Sequence, residues 1–334
     1  RNLKRALSLA LAAVMVLSMM VVGAGAASYD DFSDKDEIVN TEAVSILTAL
    51  NVINGKDDGS YDPTGIITRA EMAKLICVVL NGGKDPSLGN ASTNTYTDTV
   101  GHWAAPYIEF CTNQGIVAGK GDGTFAPNET VTGSQAAKML LVALGYQSEL
   151  AGFTGASWEV ATNVAANQKS LYDGLDINPS QGLTRDSAAQ MVFNALNADI
   201  VFYDYTLTTN NGNISSVTTL IDNGSKGTLL TTKFGAVKVE GVVIGNEVAE
   251  LGKDAKSMSA GKTKIDITNA DEIDIAGIDD NDGNTFSVST GIEALGRSVT
   301  LYVKPYTSNK ANTEKATVIG SVILSADDKV VVDT

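Results

Sequence analysis

A short unit that occurs three times between residues 28 and 200 constrains this chain more than any other feature of its sequence. Residues 58–63, with the sequence DGSYDP, recur as DGTFAP at residues 122–127 and, more loosely, as DG and NP within residues 173–179. Five residues after each proline stands a threonine, namely Thr68, Thr132 and Thr184. Because this offset is fixed, the turn and the element after the threonine must be built together as one unit.

Each of these threonines opens a stretch in which apolar residues recur every three or four positions, which predicts an amphipathic helix. In the first copy the apolar positions are Met72, Leu75, Ile76, Val79 and Leu80. Thr68 with Glu71, and Thr132 with Gln135, fit a capping box at the start of such a helix. The third copy has Ser187 at the matching position, which is a weaker capping partner.

A second helix is predicted before each turn, at about residues 37–51, 103–114 and 158–168. Gly55 and Gly119 lie between this helix and the turn, where a positive φ is easily adopted. Each copy is thus a helix, a glycine-rich loop, a turn and another helix. One helix pair cannot bury both of its apolar faces, so the three copies are expected to pack on one another as a single helical domain.

The predicted modules span residues 28–90, 91–150 and 151–200, and a different region follows. From about residue 201 the composition shifts to Thr, Val, Ile, Asn and Gly in short alternating runs that are typical of strands. Strands are predicted at residues 231–244, 264–267, 298–304, 317–324 and 329–333. The predicted fold is therefore an α-helical bundle of three tandem helix-loop-helix repeats, followed by a small all-β domain at residues 201–334.

Residues 1–27 combine basic residues near the start with an apolar run over residues 6–22 and small residues after it. This is the pattern of a secretory signal peptide, with cleavage expected after Ala26 or Ala27. No later stretch is long and apolar enough to cross a bilayer. The chain is therefore expected to be secreted, with no transmembrane segment after cleavage.

The chain has a formal net charge of −15, and loss of the predicted signal peptide makes it more negative. Such a surface repels polyanions, which disfavours nucleic acid as a partner. An anionic polymer would have to be met by a local basic group that works against this overall field. The charge thus restricts where such a partner is able to bind.

Several motifs stand in the same order within the repeats. They are FSD at 32–34 or YTD at 96–98, HWA at 102–104, GI at 115–116, GDGTFAP at 121–127 and ITRAE at 67–71. Together these motifs resemble S-layer homology modules. The resemblance is specific because several motifs recur in order, and it covers about half of the chain, residues 28–200.

The resemblance implies a pseudo-threefold, three-pronged bundle whose grooves bind secondary cell-wall polysaccharide, often a pyruvylated glycan. It also implies a non-catalytic anchor in the bacterial cell wall or S-layer, with peptidoglycan and other S-layer subunits as further partners. Three departures from the family pattern matter. Residues 133–135 are GSQ where the family has Arg-Ala-Glu, the third copy is shorter around residues 171–178, and the first copy has no match for Trp103. We therefore expect two competent grooves and a degenerate second one.

Arg69 and Arg185 follow their capping threonines at the first helical position, where the helix dipole disfavours a cation by roughly 0.3–1 kcal/mol. A guanidinium beside the free N–H groups of an exposed helix start is able to grip a carboxylate or phosphate bidentately. We therefore expect both arginines to bind the acidic terminal group of a wall glycan. The alternative is structural, with Arg69 paired to Asp62, and Arg185 to Asp186 or Asp176.

Trp103 and Trp158 begin the first helix of their modules and are candidates for stacking on a sugar ring. The alternative is a tryptophan wedged in the core, which the sequence favours for Trp158. Gly119 and Gly121 would let a ligand approach the backbone closely, although turn geometry explains them without a ligand. These four residues and the two arginines form the candidate glycan-binding set.

No catalytic residue and no resident cofactor are predicted. His102 is the only histidine, so neither a serine triad nor a histidine-rich zinc site can be assembled. Calcium is considered at the acidic run 279–283, but its glycine does not fit an EF-hand loop and a solvated hairpin tip is favoured. Cys77 and Cys111, the only cysteines, are interpreted as buried apolar residues in preference to a disulfide.

Three classes of function stay open. The favoured one is a surface-layer subunit or surface-attached protein, held non-covalently by its modules to the wall polysaccharide. A second is a wall-anchored adhesion or ligand-binding protein that uses its β region for recognition. A third is the anchoring half of an exported glycan-active enzyme.

Overall fold

The computed structural model describes residues 29–86, 94–210, 213–252, 256–269, 284–305, 307–308, 310–311 and 316–323. The chain forms two compact units, one that ends at Phe234 and one that begins at Gly235. The predicted signal peptide, the acidic run 279–283 and the predicted strand at 329–333 lie outside the described residues. The predicted module boundaries stay predictions, although the helical unit continues past residue 200.

The first unit holds two helices for each copy of the repeat. They are α1 (Thr41–Ala49), α2 (Arg69–Leu80), α3 (Ala105–Asn113), α4 (Gly133–Ala143), α5 (Trp158–Gln168) and α6 (Arg185–Asn197). Both α1 and α3 begin later than predicted. Residues 35–37 form a separate 3-10 turn before α1, and α3 begins with Ala105 and Pro106, where proline is tolerated at a helix start.

The capping boxes predicted from the sequence are present. The Thr68 hydroxyl accepts from the Glu71 backbone N–H at 3.2 Å, and the Glu71 carboxylate accepts from the Thr68 N–H at 2.8 Å. The same reciprocal pair joins Thr132 and Gln135. In α6 the Thr184 hydroxyl caps alone, accepting from the Ser187 N–H at 3.1 Å. Each cap satisfies a donor that the first helical turn would otherwise leave unpaired.

Backbone hydrogen bonds join the three copies just before these caps. Ile67 donates to the Leu183 carbonyl at 3.1 Å, Leu183 donates to Val131 at 3.0 Å, and Val131 donates back to Ile67 at 3.1 Å. The three bonds therefore form a closed ring. Its members are the apolar residues before the capping threonines, and all three are buried.

A second set of bonds leads from each helix start to the turn of another copy. Arg69 and Ala70 donate through their backbone N–H groups to Glu129 and Pro127, at 2.9 and 3.0 Å. The starts of α4 and α6 repeat the pattern, with acceptors Gln181 and Pro179 for α4 and Gly65 and Pro63 for α6. The expected free N–H groups at the helix starts are therefore not available. The prediction was wrong because these groups bond to other copies, which local sequence does not reveal.

Two elements at the end of the first unit differ from the prediction. Strands β1 (Phe202–Asn210) and β2 (Asn213–Ile221) form an antiparallel hairpin that the sequence analysis did not identify. A short helix, α7 (Leu229–Phe234), replaces the start of the strand predicted at 231–244. The Thr228 hydroxyl accepts from the Thr231 N–H at 3.2 Å. This local capping, with burial of the apolar residues of α7, outweighs the β propensity of the threonines.

The second unit is a five-stranded antiparallel sheet in the order β5-β4-β3-β6-β9. Its strands are β3 (Val237–Gly245), β4 (Thr263–Ile267), β5 (Thr285–Phe286), β6 (Ser298–Lys304) and β9 (Thr317–Ile323), and a small separate pair is β7 (Thr307–Ser308) and β8 (Lys310–Ala311). Along β3, buried and half-buried residues alternate, as a strand with one face on a core requires. The sheet-rich C-terminal region predicted from the sequence is therefore confirmed.

Candidate functional site

Arg69, the first residue of α2, reaches from the first copy of the repeat into the loop of the second. Its Nε donates to the Phe125 carbonyl at 3.0 Å and its Nη2 to the Ala118 carbonyl at 3.1 Å. The guanidinium carbon lies 4.4 Å from the centre of the Phe125 ring. The residue is only 8% exposed, and this burial lowers the pKa of Arg69. The side chain is thus held in place by neutral partners, which leave its charge uncompensated.

The structural alternative for Arg69 does not apply, because Asp62 forms its ion pair with Lys56. Within the part of the chain that the structure describes, no carboxylate oxygen lies within 4.0 Å of the Arg69 guanidinium. Glu129 and Asp98 contribute only longer-range attraction to Arg69.

A cavity of about 220 Å³ opens beside Arg69. One wall is the loop of the second copy, another is α4, and the third is the start of the third copy. The lining residues are Arg69, Ile116, Val117, Ala118, Gly119, Gln135, Lys138, Met139, Phe153, Thr154, Gly155 and Trp158. None of them is acidic, although the chain as a whole carries a net charge of −15. The lining of the cavity is therefore positively charged, in contrast to the negative net charge of the chain.

Lys138 supplies the second positive charge in this cavity. Its Nζ donates to the Phe153 carbonyl at 2.6 Å and lies 5.7 Å from the centre of the Trp158 ring. Burial lowers the pKa of Lys138. Trp158 is half-buried and forms part of the cavity wall, so its ring is not enclosed in the core as the sequence favoured.

The two candidate glycines have different roles. A Cβ on Gly119 would lie 2.4 Å from a carbon of the Tyr96 ring and 2.6 Å from the Thr124 carbonyl oxygen, so a side chain does not fit there. Gly119 lines the cavity, whereas Gly121 does not. Gly121 adopts a φ of +92° with open space around it, which is turn geometry that glycine accommodates at low cost.

Arg185 occupies the corresponding place at the start of α6. Its Nε donates to the Tyr61 carbonyl at 2.9 Å, and its guanidinium carbon lies 5.2 Å from the centre of the Tyr61 ring. Here, however, the Glu71 carboxylate lies 4.0 Å from Nη1. The Asp186 carboxylate instead accepts from the Asn40 side chain at 2.7 Å. Arg185 thus repeats the anchoring of Arg69 but with an acid beside it.

Lys74 is the counterpart of Lys138, because both lie six residues after the capping threonine of their copy. Its Nζ lies 3.2 Å from an Asp85 carboxylate oxygen and 5.5 Å from the centre of the Tyr107 ring. Trp103 is 54% exposed, and its ring is 6.3 Å from that of Tyr107. The structure therefore places Arg185 and Trp103 outside the Arg69 cavity. Arg185 and Lys74, the counterparts of the two cations in that cavity, each have an acidic neighbour.

The third corresponding position carries no cation, because α4 begins with Gly133. A Cβ there would lie 2.8 Å from the Pro179 Cα. The nearby Glu159 carboxylate accepts from the Ser134 and Ser180 hydroxyls at 3.0 and 2.8 Å. Three corresponding positions thus differ in charge. Among the described residues, one has two cations without an ion pair within 4.0 Å, one has cations with an acidic neighbour, and one has a carboxylate.

The sequence analysis missed Lys138, Gln135 and Thr154 as cavity residues. A signal for Lys138 was present, since a lysine interrupts the apolar helical pattern at the same place in the first two copies. Nothing in the sequence indicated that Arg69 of one copy, Lys138 of the next and Trp158 of the third would meet.

Comparison with known proteins identifies a domain family in two of the repeat copies. A family model described as "S-layer homology domain" matches residues 31–73 and 95–137. The second match contains Gly119 and Gly121, and the first contains Arg69. The chain is a surface protein that contains S-layer homology domains. As such it is a secreted, cell-wall-associated protein, and its motif resemblance is confirmed.

Named relatives of this S-layer homology protein point to the cell wall. The chain is 27% identical over 303 residues to the middle cell wall protein of Brevibacillus brevis, covering 87% of this chain and 26% of the relative. It is 37% identical over 81 residues to the cellulosome-anchoring protein of Acetivibrio thermocellus, covering 24% of this chain and 18% of the relative. An uncharacterized cell wall amidase of Bacillus anthracis is 28% identical over 151 residues, 42% of this chain and 27% of the relative. The chain therefore spans about a quarter of the length of such relatives.

Neither a membrane span nor a metal cluster is found where the structure is described. No described helix is long and apolar enough to cross a bilayer. The described residues also contain no group of three or more His, Cys, Asp or Glu side chains placed to hold a metal ion. The calcium prediction falls on residues 279–283, outside the described part, and stays untested.

Proposed function

We propose that the helical unit is a non-catalytic anchor and that the Arg69 cavity binds an acidic group of secondary cell-wall polysaccharide. The observation that carries this proposal is the pairing of Arg69 and Lys138 in a cavity without an acidic lining residue. An anion entering the cavity meets two desolvated cations, and attraction is stronger there than in bulk water. The half-buried Trp158 ring offers a face to the apolar side of a sugar.

The type of anion follows from the available donors. The backbone N–H groups of the helix starts are already bonded, so the charged donors that the cavity offers a ligand are the side chains of Arg69 and Lys138. A carboxylate on a compact glycan terminus, such as a pyruvyl group, suits a cavity of about 220 Å³. A long polyanion would instead meet the repulsion of a chain with a net charge of −15.

The anchor as a whole is proposed to be a pseudo-threefold assembly of three modules. The ring of bonds among Ile67, Val131 and Leu183 supports this arrangement, as do the matching bonds from each helix start to another copy's turn. In this proposal the Arg69 cavity is the principal site, and the corresponding surface at Arg185 binds the anion more weakly. The corresponding surface at Gly133 does not bind the anion, as expected for a degenerate second copy.

The anchor is proposed to hold a larger surface protein on the wall, with other S-layer subunits as further partners. The name of the cellulosome-anchoring relative favours such a tethering role. A second candidate function is that an anchor of this kind carries an enzyme, and the name of the amidase relative supports it. The two candidates share the same Arg69 cavity and differ in what the anchor holds.

Co-sedimentation of the secreted chain with cell-wall sacculi tests the proposal. The chain is expected to bind untreated sacculi and to lose binding when acid extraction removes the secondary polymer. Retention on stripped walls would contradict the polysaccharide assignment.

A matched pair of lysine variants tests the cavity itself. Lys138→Gln removes a cation that has no ion pair among the described residues, and it is expected to weaken wall binding by roughly tenfold, because charge-assisted hydrogen bonds contribute about 1.5–3 kcal/mol. Lys74→Gln is the control, since this lysine already pairs with Asp85. Equal effects of the two substitutions would show that the Arg69 cavity is not the principal site.

A further inference from the structure

The two cysteines of the chain meet at the contact between α2 and α3. Cys77 lies on α2 and Cys111 on α3, and their Sγ atoms are 3.5 Å apart. Both residues are buried, at 1% and 0% exposure. The chain has no other cysteine, so each thiol has only one intramolecular partner for a disulfide.

The surroundings of the two thiols are reciprocal. The Cys77 Sγ lies 3.6 Å from the Tyr107 carbonyl oxygen, one helical turn before Cys111. The Cys111 Sγ lies 3.6 Å from the Ala73 carbonyl oxygen, one helical turn before Cys77. Each sulfur therefore sits over the partner helix, and the separation is van der Waals contact. A bond of about 2.05 Å requires the sulfurs to approach by roughly 1.5 Å.

We infer that Cys77 and Cys111 form an oxidation site, and that the secreted protein closes it as a disulfide between its first and second repeats. Disulfides persist outside the cytoplasm, where this cell-wall-associated chain is located. This inference rests on the location of the protein and is independent of which ligand the Arg69 cavity binds.

The chemistry is thiol–disulfide exchange with a low-molecular-mass disulfide, RSSR, as the oxidant. One protein thiolate attacks RSSR, which forms a mixed disulfide and releases RS⁻. The second protein thiolate then attacks the protein sulfur of that mixed disulfide and releases the second RS⁻. The two protein thiols lose two electrons and two protons, and RSSR becomes two RSH.

Burial determines when this exchange takes place. The contact with Cys77, together with desolvation, raises the pKa of Cys111, so the Cys111 thiolate is scarce in the folded state. Neither sulfur is open to a bulky oxidant in the closed interface. The bond is therefore expected to form while the chain folds, or when α2 and α3 separate transiently, and to be shielded from reductants afterwards.

The bond would join the repeat that carries Arg69 to the repeat that supplies its carbonyl partners. The closed loop runs from residue 77 to residue 111, and cross-linking a loop of about 35 residues removes substantial conformational entropy from the unfolded chain. Closing the bond costs less conformational entropy in the folded chain than in the unfolded chain, so the bond is more stable in the folded chain. This relation gives a measurable test.

The test is the disulfide equilibrium of the full chain in buffers of reduced and oxidised glutathione, with and without guanidinium chloride. Acid quenching, thiol alkylation and intact mass report the fraction of closed bond, which lowers the mass by about 2 Da. Because native geometry holds the sulfurs together, the equilibrium constant is expected to be on the order of 10²–10³ larger for the folded chain. An equal or smaller constant for the folded chain would overturn the inference.

Single-cysteine variants provide the control. Cys111→Ser is expected to give only mixed disulfides with glutathione and no loss of mass, and Cys77→Ser is expected to behave in the same way. The double variant Cys77→Ala/Cys111→Ala separates oxidation from packing. Its melting temperature should match that of the reduced protein more closely than that of the oxidised protein, which is expected to melt roughly 10 °C higher. An oxidised protein that melts no higher than the reduced one would also contradict the inference.

Discussion

The starts of α2 and α4 have the same backbone environment and opposite electrostatics. Both donate their first two N–H groups to carbonyls of another copy's turn, and both are capped by a threonine through a reciprocal box. One start carries Arg69 over the Phe125 ring, and the other carries Gly133 against Pro179. The two helix starts therefore share their backbone bonds and differ in the charge at the first helical position.

The largest expected effect comes from removing the charge at this position. Arg69→Met keeps much of the side-chain volume but loses the charge, and it is expected to lower wall affinity by roughly 10–100-fold, the equivalent of about 1.5–3 kcal/mol. Binding isotherms with sacculi measure the change.

Arg185→Met is the matched control for Arg69→Met. Both arginines donate to a carbonyl and cover an aromatic ring, so the two variants should lose similar stability. Arg185→Met is expected to lower affinity by less than about threefold, because Glu71 already compensates its charge. If it lowers affinity as much as Arg69→Met, the Arg69 cavity and the surface at Arg185 do not differ in binding as proposed.

A second prediction concerns the glycine that takes the place of an arginine. Gly133→Ala normally adds helix propensity, yet here the new Cβ would lie 2.8 Å from the Pro179 Cα. We expect the free energy of unfolding to fall by about 1–3 kcal/mol, because backbone has to shift to accept the methyl group. Guanidinium chloride denaturation measures it. A more stable variant would show that the turn of the third copy shifts at little cost and that packing against Pro179 does not require a glycine at position 133.

The smallest effect is expected at the next position of α6, where Asp186 replaces the alanine or serine of the other two helix starts. Burial raises the pKa of Asp186, opposed by hydrogen bonds from Asn40. Its ionised form is thus disfavoured by folding, and the resulting cost is present above the unfolded pKa of about 3.9 and is relieved as pH falls.

Asp186→Asn should therefore stabilise the protein slightly at pH 7, by less than about 1 kcal/mol, and this gain should disappear below about pH 4. Thermal unfolding of both proteins across this pH range provides the measurement. A loss of stability at pH 7 would show that the two hydrogen bonds from Asn40 outweigh the cost of burying the charge.

Local signals in the sequence predicted the repeated elements well. The caps at Thr68 and Thr132 and the apolar stripes placed α2 and α4 correctly, because both depend on residues within one helical turn of each other. The strand at residues 298–304 was predicted for the same reason, since alternation along one strand is a local property.

The sequence analysis failed where contacts join distant segments. It assumed free N–H groups at the helix starts, although those of Arg69 bond to residues of another copy. It also missed Lys138 as a partner of Arg69, because three separate copies build that cavity. The hairpin of β1 and β2 was missed although Tyr203, Tyr205 and Leu207 alternate with polar residues along β1. The apolar residues of β2 show no such alternation, so the second strand gave no matching signal.

The ring of bonds among Ile67, Val131 and Leu183 also determines the order in which the protein is completed. A secreted chain reaches the outside in sequence order, so the first two copies arrive before the carbonyl and N–H groups of Leu183. Until then, the bonds from Ile67 to Leu183 and from Leu183 to Val131 cannot form, and contacts between such distant segments form slowly. The Arg69 cavity, which needs Trp158 of the third copy, therefore cannot be complete before the third copy has been exported.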